Sequence, residues 1–279
     1  MVVGEVGLVA SSHQPWTLDS LDWNAVQRTP QDARDALFYM VAAASFMEIT
    51  TDRYTQNLID RFRGDAEITG WLADHWLPEE LQHGEALRRY VRTAWPEFDW
   101  DSVYERFTAE FAPYCAGERL EPSCSREMAS RCVVEMGTAS FYTTLSRISA
   151  EPVLADLAHL IAADEVRHYK HFYRYFRRYQ GAERTGRGGI VAALWRRLRM
   201  IDGEDNVIAV KHLYQARHPG QVFDRRAYKA IRRGSREAVR GHFPHRMCVG
   251  MLLRPLRLSP RAQHLTASIV EAVVRRIVP

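Results

Sequence analysis

The stretches EELQHG (Glu79–Gly84) and DEVRHY (Asp164–Tyr169) repeat one pattern: two adjacent acids, two spacers and a histidine. An α-helix turns about 100° per residue, so positions three apart share a face one turn along. Glu80 and His83 form such a pair, and Glu165 and His168 form a second. A carboxylate and an imidazole side by side can ligate one metal ion. A single pair describes a solvated helix face equally well. Its meaning depends on what the chain sets around the two copies.

The chain around them reads as helices. Residues 1–30 read as irregular, with Pro15 and Pro30 as breakers. A helix free of Pro and Gly is expected from Gln31 to about Phe62, with Gly64 and Asp65 as stop and restart. The second covers about Ala66–Thr93, and Pro78 is expected to kink or split it. A short connecting helix follows within PEFDWDSVYERFTAEFAPY (Pro96–Tyr114). The third long helix is about Ser125–Ile148, and the fourth runs from Glu151 and Pro152 to about Gln180. Short joins within each pair and a longer join between pairs predict an all-α four-helix bundle with one crossover over 31–180. Beyond it GAERTGRGGI (181–190) reads as a linker to a basic helical extension over 181–279. That extension is expected to be helical near Val191–Met200, Asn206–Arg217, Arg225–Arg240 and Arg261–Ile277.

If helices two and four each offer Glu-x-x-His, a bundle site needs a carboxylate from helices one and three. Helix one has Glu48 in AAASFMEIT and helix three has Glu135 in CVVEMGTAS, each acid among apolar and small residues. A carboxylate there is costly unless it is paired or bound to metal. Glu48 precedes Glu80 by 32 residues and Glu135 precedes Glu165 by 30, so each half is a hairpin facing one Glu with one Glu-x-x-His. The six residues Glu48, Glu80, His83, Glu135, Glu165 and His168 match the dinuclear carboxylate site of ferritin-like bundles. Mixed oxygen and nitrogen ligands suit iron or manganese. The small residues Ala42–Ser45 and Gly137–Ser140 either leave room beside a metal centre or let helices pack closely.

These motifs resemble a family. WLPEELQHGEALRRYVRTAW (Trp76–Trp95), IAADEVRHYKHFYRYF (Ile161–Phe176) and EMGTASFYTTLSR (Glu135–Arg147) are similar to the three ligand segments of soluble acyl-carrier-protein desaturases. The resemblance covers roughly residues 35–180. It implies that Glu80 and Glu165, rather than Glu79 and Asp164, bind metal, with Asp164 accepting from His83 and Glu79 at the surface or behind the ligands. It implies that Thr138 lies by the oxygen site and assists proton delivery. The implied activity is a two-iron, dioxygen-dependent oxidation of an unactivated C–H bond in an acyl or other small organic substrate. Electrons would come from a separate donor such as a ferredoxin, and a homodimer is the expected assembly. Gln82 and Tyr169 depart from the family, where Arg and Glu are usual. An iron-handling ferroxidase and an amine N-oxygenase share the same site type. His171, three residues after His168, could be an extra ligand of the N-oxygenase kind, but reads first as a polar residue at the bundle end. The tyrosines of HYKHFYRYFRRY read as a packed helix end rather than a radical source.

Composition sets bounds. No run of eighteen apolar residues predicts a membrane span. The amino terminus lacks a basic region ahead of its apolar run, and no C-x-x-C joins the four cysteines, so a reducing cytoplasm is the expected compartment. The net charge of +4 hides an asymmetry. Residues 1–180 hold 18 basic and 27 acidic residues, whereas 181–279 hold 20 and 7. The basic part is expected to be a solvated surface or a dock for an acidic partner such as acyl carrier protein, with Arg232, Arg233, Arg236 and Arg240 on one helix.

Overall fold

The computed structural model describes residues 15–28, 35–115, 120–200 and 203–277. The described residues are all-α, with no strand among them. Four segments build the bundle. The first is α1 (Asp35–Ile49) with α2 (Asp52–Arg61), and the second is α3 (Ala66–Trp71) with α4 (Leu77–Ala94). The crossover carries α5 (Trp100–Phe111). The third and fourth are α6 (Cys124–Ile148) and α7 (Pro152–Glu183). As the hairpin spacing predicts, α1 packs on α4 and α6 on α7, and α4 meets α7 to join the halves.

Local chemistry starts these helices. Asp65 caps α3 by accepting from Ile68 N, and Asp99 caps α5 by accepting from Ser102 N. Glu151 accepts from the backbone N–H of Val153 and Leu154, and Pro152 follows where its missing N–H costs nothing. At α6, the Glu183 carboxylate from the end of α7 accepts from Cys124 N and Ser125 N at 2.9 and 3.0 Å.

The apolar residues form two cores rather than one. The first joins Phe38, Phe46, Leu87, Tyr142, Leu154 and their neighbours. The second joins Leu58, Leu72, Trp76, Met128, Phe172 and theirs. Each of the four segments passes from one core to the other. Between the cores they carry Glu48, Glu80 with His83, Glu135, and Glu165 with His168, all buried. A polar layer thus crosses the middle of the bundle.

Two backbone features stand at this layer, and the first differs from the expectation. The first helix is not continuous from 31 to 62, and its start at 31–34 lies outside the described residues. It breaks at Thr50–Thr51, directly after Glu48 and Ile49. The Thr50 hydroxyl bonds back to Phe46 O, and Thr51 N donates to Glu48 O, only three residues back, so the α-helical ladder is interrupted. Near Pro78, where a kink or split is expected, the helix runs on but departs from the α-helical pattern. A π-helical turn, Leu72–Trp76, precedes it, and Leu77 N–H reaches five residues back to Leu72 O.

The basic region forms α8 (Arg187–Leu198), α9 (Glu204–Arg217), α10 (Arg225–Val239), α11 (His245–Leu253) and α12 (Pro260–Ile277). Helix α8 lies on α6, α9 on α5 and α1, α10 on α1, and α11 on α6. The expected linker shrinks to Arg184–Gly186, because Gly181 lies within the last turn of α7 and Gly188 and Gly189 within the first turn of α8. A Cβ at Gly189 would stand 2.8 Å from the Arg126 guanidinium, so this glycine lets α8 close on α6. Helix α11 was not foreseen; its periodicity is hidden in nine residues of HRMCVGMLL.

Candidate metal centre

Helical register places all six expected ligands in the polar layer. Ligand atoms of Glu48, Glu80, His83 and Glu165 lie within 4.8 Å of one another, and so do those of Glu80, Glu135, Glu165 and His168. Glu80 and Glu165 belong to both groups. Two ligand sets that share two carboxylates could hold metal at neighbouring positions.

The histidines sit symmetrically. Nδ1 of His83 faces inward, 3.2 Å from Glu165 Oε1, and its Nε2 is 3.0 Å from Asp164 Oδ2. Nδ1 of His168 faces inward, 3.0 Å from Glu80 Oε1 and 3.6 Å from Glu135 Oε2, and its Nε2 is 2.7 Å from Glu79 Oε2. An acid behind each imidazole holds the ring with Nδ1 aimed at the cluster. Asp164 takes the role that the resemblance implies. Glu79 does the same for His168 and is not merely a surface residue. Arg167 ties the two acids together, at 2.7 Å from Asp164 and 2.8 Å from Glu79.

Three residues outside the expected set complete the shell. The Trp16 indole N–H donates to Asp164 Oδ2 at 2.8 Å, and its ring lies parallel to that of His83. Gln82 donates to Trp16 O at 3.1 Å, so the segment before α1 is pinned over the site. The Tyr142 hydroxyl donates to Glu48 Oε1. Thr138 donates to Glu165 Oε2 at 2.5 Å, while also reaching Glu135 O. A signal existed for Tyr142, which follows Glu135 by two helical turns on one face. None existed for Trp16, which is 148 residues from Asp164.

The electrostatics follow from burial. Burial, with repulsion from Glu80 and Glu165, pushes the Glu48 carboxyl well above the usual range. Burial also raises Glu80, helped by Glu165. It brings Glu135 to about 8, against the lowering effect of the nearby His168 imidazole. Burial acts on Glu165 too, but the two histidines outweigh it and hold that carboxyl low. Burial opposes protonation of His83, yet Asp164 and Glu165 bring it to about 10. Burial opposes ionisation of Asp164, and the His83 hydrogen bond overrides it.

The residues fit a pair of divalent cations. Inward-facing atoms of His83, Glu135, Glu165 and His168 are buried with no hydrogen-bond partner. Four carboxylates balance the charge of two dications, with both imidazoles neutral, so the buried layer would be electrically compensated. The donors are oxygen and imidazole nitrogen. Buried Cys132, three residues before Glu135, is outside both groups, and burial keeps its thiol protonated.

Other candidates sort out. His171 stacks on Trp71 at 4.9 Å, burial lowers it to about 4, and it belongs to neither ligand group. His75 is exposed. Ala42–Ser45 serve packing: Ser45 Oγ accepts the Trp100 indole N–H at 2.9 Å. Gly137 instead faces open space. In the tyrosine run, Tyr169 donates to Met251 O at 2.6 Å and Tyr175 is buried in the second core, as a packed helix end requires. No helix among the described residues is long and apolar enough to cross a membrane. Comparison with protein-family models and with curated proteins finds no match for this chain.

Proposed function

We propose that this protein is a di-iron, dioxygen-dependent oxidoreductase acting on an unactivated C–H bond of an acyl or other small organic substrate. The observation that carries the reading is the pair of buried ligand groups joined through Glu80 and Glu165. Glu48 with His83 would hold one iron, Glu135 with His168 the other, and Glu80 with Glu165 both. When bound, two irons supply the dioxygen reduction and substrate oxidation that side chains cannot.

The chain's own residues have four tasks. Asp164 and Glu79 hold the two imidazoles in one orientation, and Arg167 holds both acids. Tyr142 occupies one oxygen of Glu48 and leaves the other for metal. The apolar cores above and below exclude water from the layer. The Thr138 hydroxyl bonds Glu165 Oε2, and from there it would pass a proton at Oγ1. Helix α10 and the residue after it present exposed Arg233, Arg236 and Arg240, the surface best suited to an acidic acyl carrier, while Arg232 lies over the Tyr228 ring.

The test is iron loading and reduction of the full chain, then dioxygen uptake with and without acyl, acyl-carrier and amine substrates, with mass analysis of products. Substrate-dependent uptake with an oxidised organic product supports the reading. Iron oxidation with no organic product, in a cage-sized particle, replaces it with iron handling.

A further inference from the structure

Exposed hydrophobic side chains are concentrated rather than scattered. Of the seven large ones standing exposed among the described residues, Val191 and Trp195 are on α8, Met200 lies just past its end, and Leu265, Ile269 and Val273 are on α12. Only Val222 lies elsewhere. Leu265 and Ile269 are 66% exposed, Trp195 61%, Val191 50% and Val273 49%. The three α12 residues are spaced by four, so they make one stripe along the helix. No residue of α12 with a described side chain is buried, and its chief neighbour is α11.

Cations frame both stripes. On α12, Arg261 precedes Leu265 by one turn and Arg276 follows Val273 by one turn, both exposed. Its sole acid, Glu271, is engaged by Arg275 at 2.6 Å. Helix α8 has no acid of its own; exposed Arg187 lies on it and exposed Arg199 directly after it, while Arg196 is paired with Glu121 from the segment before α6. The two helices are neighbours at one end, since Arg187 donates to Arg257 O at 3.2 Å, three residues before α12 begins. Aliphatic stripes with arginines beside them and a tryptophan form the pattern of helices that lie in the plane of a membrane interface. Arginine stems cover apolar surface while the guanidinium reaches lipid phosphate.

We propose that α8 and α12 dock this protein on an anionic lipid surface, with the aliphatic stripe and Trp195 at the acyl–headgroup boundary. A second copy of the chain fits less well. Antiparallel stripes set Arg261 against Arg276, parallel stripes set each arginine against itself, and no free acid on α12 compensates. An acidic protein would have to match two separate ridges, whereas a lipid surface needs no such match. The surface is independent of the metal centre.

The experiment is vesicle flotation of the full chain, with phosphatidylcholine alone and with about 30 mol% phosphatidylglycerol, at about 50 and about 500 mM salt. Binding to the anionic vesicles is expected, weakening about tenfold or more at high salt. Replacing Leu265, Ile269 and Val273 together by Ser should lower partitioning by roughly tenfold or more, with unchanged circular dichroism. The Arg261→Glu/Arg276→Glu variant should lose the preference for anionic vesicles. The emission difference between wild type and Trp195→Phe should shift to the blue on binding. Wild-type protein that floats with neither vesicle overturns the proposal, as does a serine variant that binds as well as wild type. Vesicle-free behaviour with stripe-dependent dimerisation would assign the surface to a second copy, and stripe-dependent capture of acyl carrier protein would assign it to that partner; either overturns the proposal.

Discussion

Gly84 follows the candidate ligand His83 on α4 and faces Ile49, which follows the candidate ligand Glu48 on α1. A Cβ at Gly84 would stand 2.4 Å from Ile49 Cγ1, 2.6 Å from Ile49 N and 3.1 Å from Ile49 Cα. The Ile49 side chain can swing away, but its backbone cannot. Ordinary carbon contacts lie near 3.5–4.0 Å, so Gly84→Ala must part α1 and α4 by about 1 Å at this level. Such overpacking costs about 1–3 kcal/mol, against which the better helix propensity of alanine returns up to about 1 kcal/mol. A net cost of about 1–2 kcal/mol, at about 2–4 °C per kcal/mol, should lower the melting temperature by roughly 2–8 °C. The parting also moves Glu48 from Glu80 and His83, so the Glu48–His83 position should lose metal affinity before the Glu135–His168 position does. Gly250→Ala is the control: it lies in α11, and its added Cβ meets nothing within 4 Å. That variant should be neutral or stabilised by about 0.5–1 kcal/mol. Thermal unfolding by circular dichroism and metal titration read both. If Gly84→Ala melts at or above wild type and binds its full complement of metal, the close α1–α4 approach does not set the geometry of the site.

Four further outcomes are expected. Glu135→Ala should keep its helical spectrum and lose at least one of two irons on metal analysis, because packing of two apolar cores holds the bundle; unchanged iron would remove Glu135 from the ligand set. Thr138→Val should keep both irons yet slow dioxygen-dependent turnover or divert it to futile reduction, and wild-type coupling in that variant would refute a proton-delivery role. Metal binding should release protons: His83, raised to about 10, and Glu135, raised to about 8, hold protons at neutral pH in the metal-free protein. Cations compete with those protons, so affinity should climb as pH rises toward about 8, and calorimetry in buffers of different ionisation enthalpy would detect it; pH-independent affinity between about 6 and 8 contradicts the assignment. Replacing Arg233, Arg236 and Arg240 by Glu should weaken binding to acyl carrier protein at low salt, chiefly by slowing association, and equal binding of both proteins would free α10 of that role.

Much of the site was legible in the sequence. A three-residue spacing on a helix fixes which side chains share a face, whatever the rest of the chain does. Glu80 with His83 and Glu165 with His168 could therefore be paired at once. The hairpin spacing then pointed to Glu48 and Glu135. Features that depend on contacts far apart in the chain were not legible. The hydroxyl of Tyr142 meets Glu48 across 94 residues, and Trp16 meets Asp164 across 148. Such partners depend on how helices pack, and local periodicity carries no information about that. The sequence likewise marked the basic residues of α8–α12 but not their distribution. Packing buries one face of α8, α9 and α11, whereas α10 and α12 bury no described side chain, and Trp195, Leu265 and Ile269 stand outside, beside the arginines. The sharing of Glu80 and Glu165 between two ligand groups was decided by tertiary structure as well. The length of each helix allows many registers, and only the burial of two apolar cores, one on either side of the carboxylates, selects the register that brings all six together.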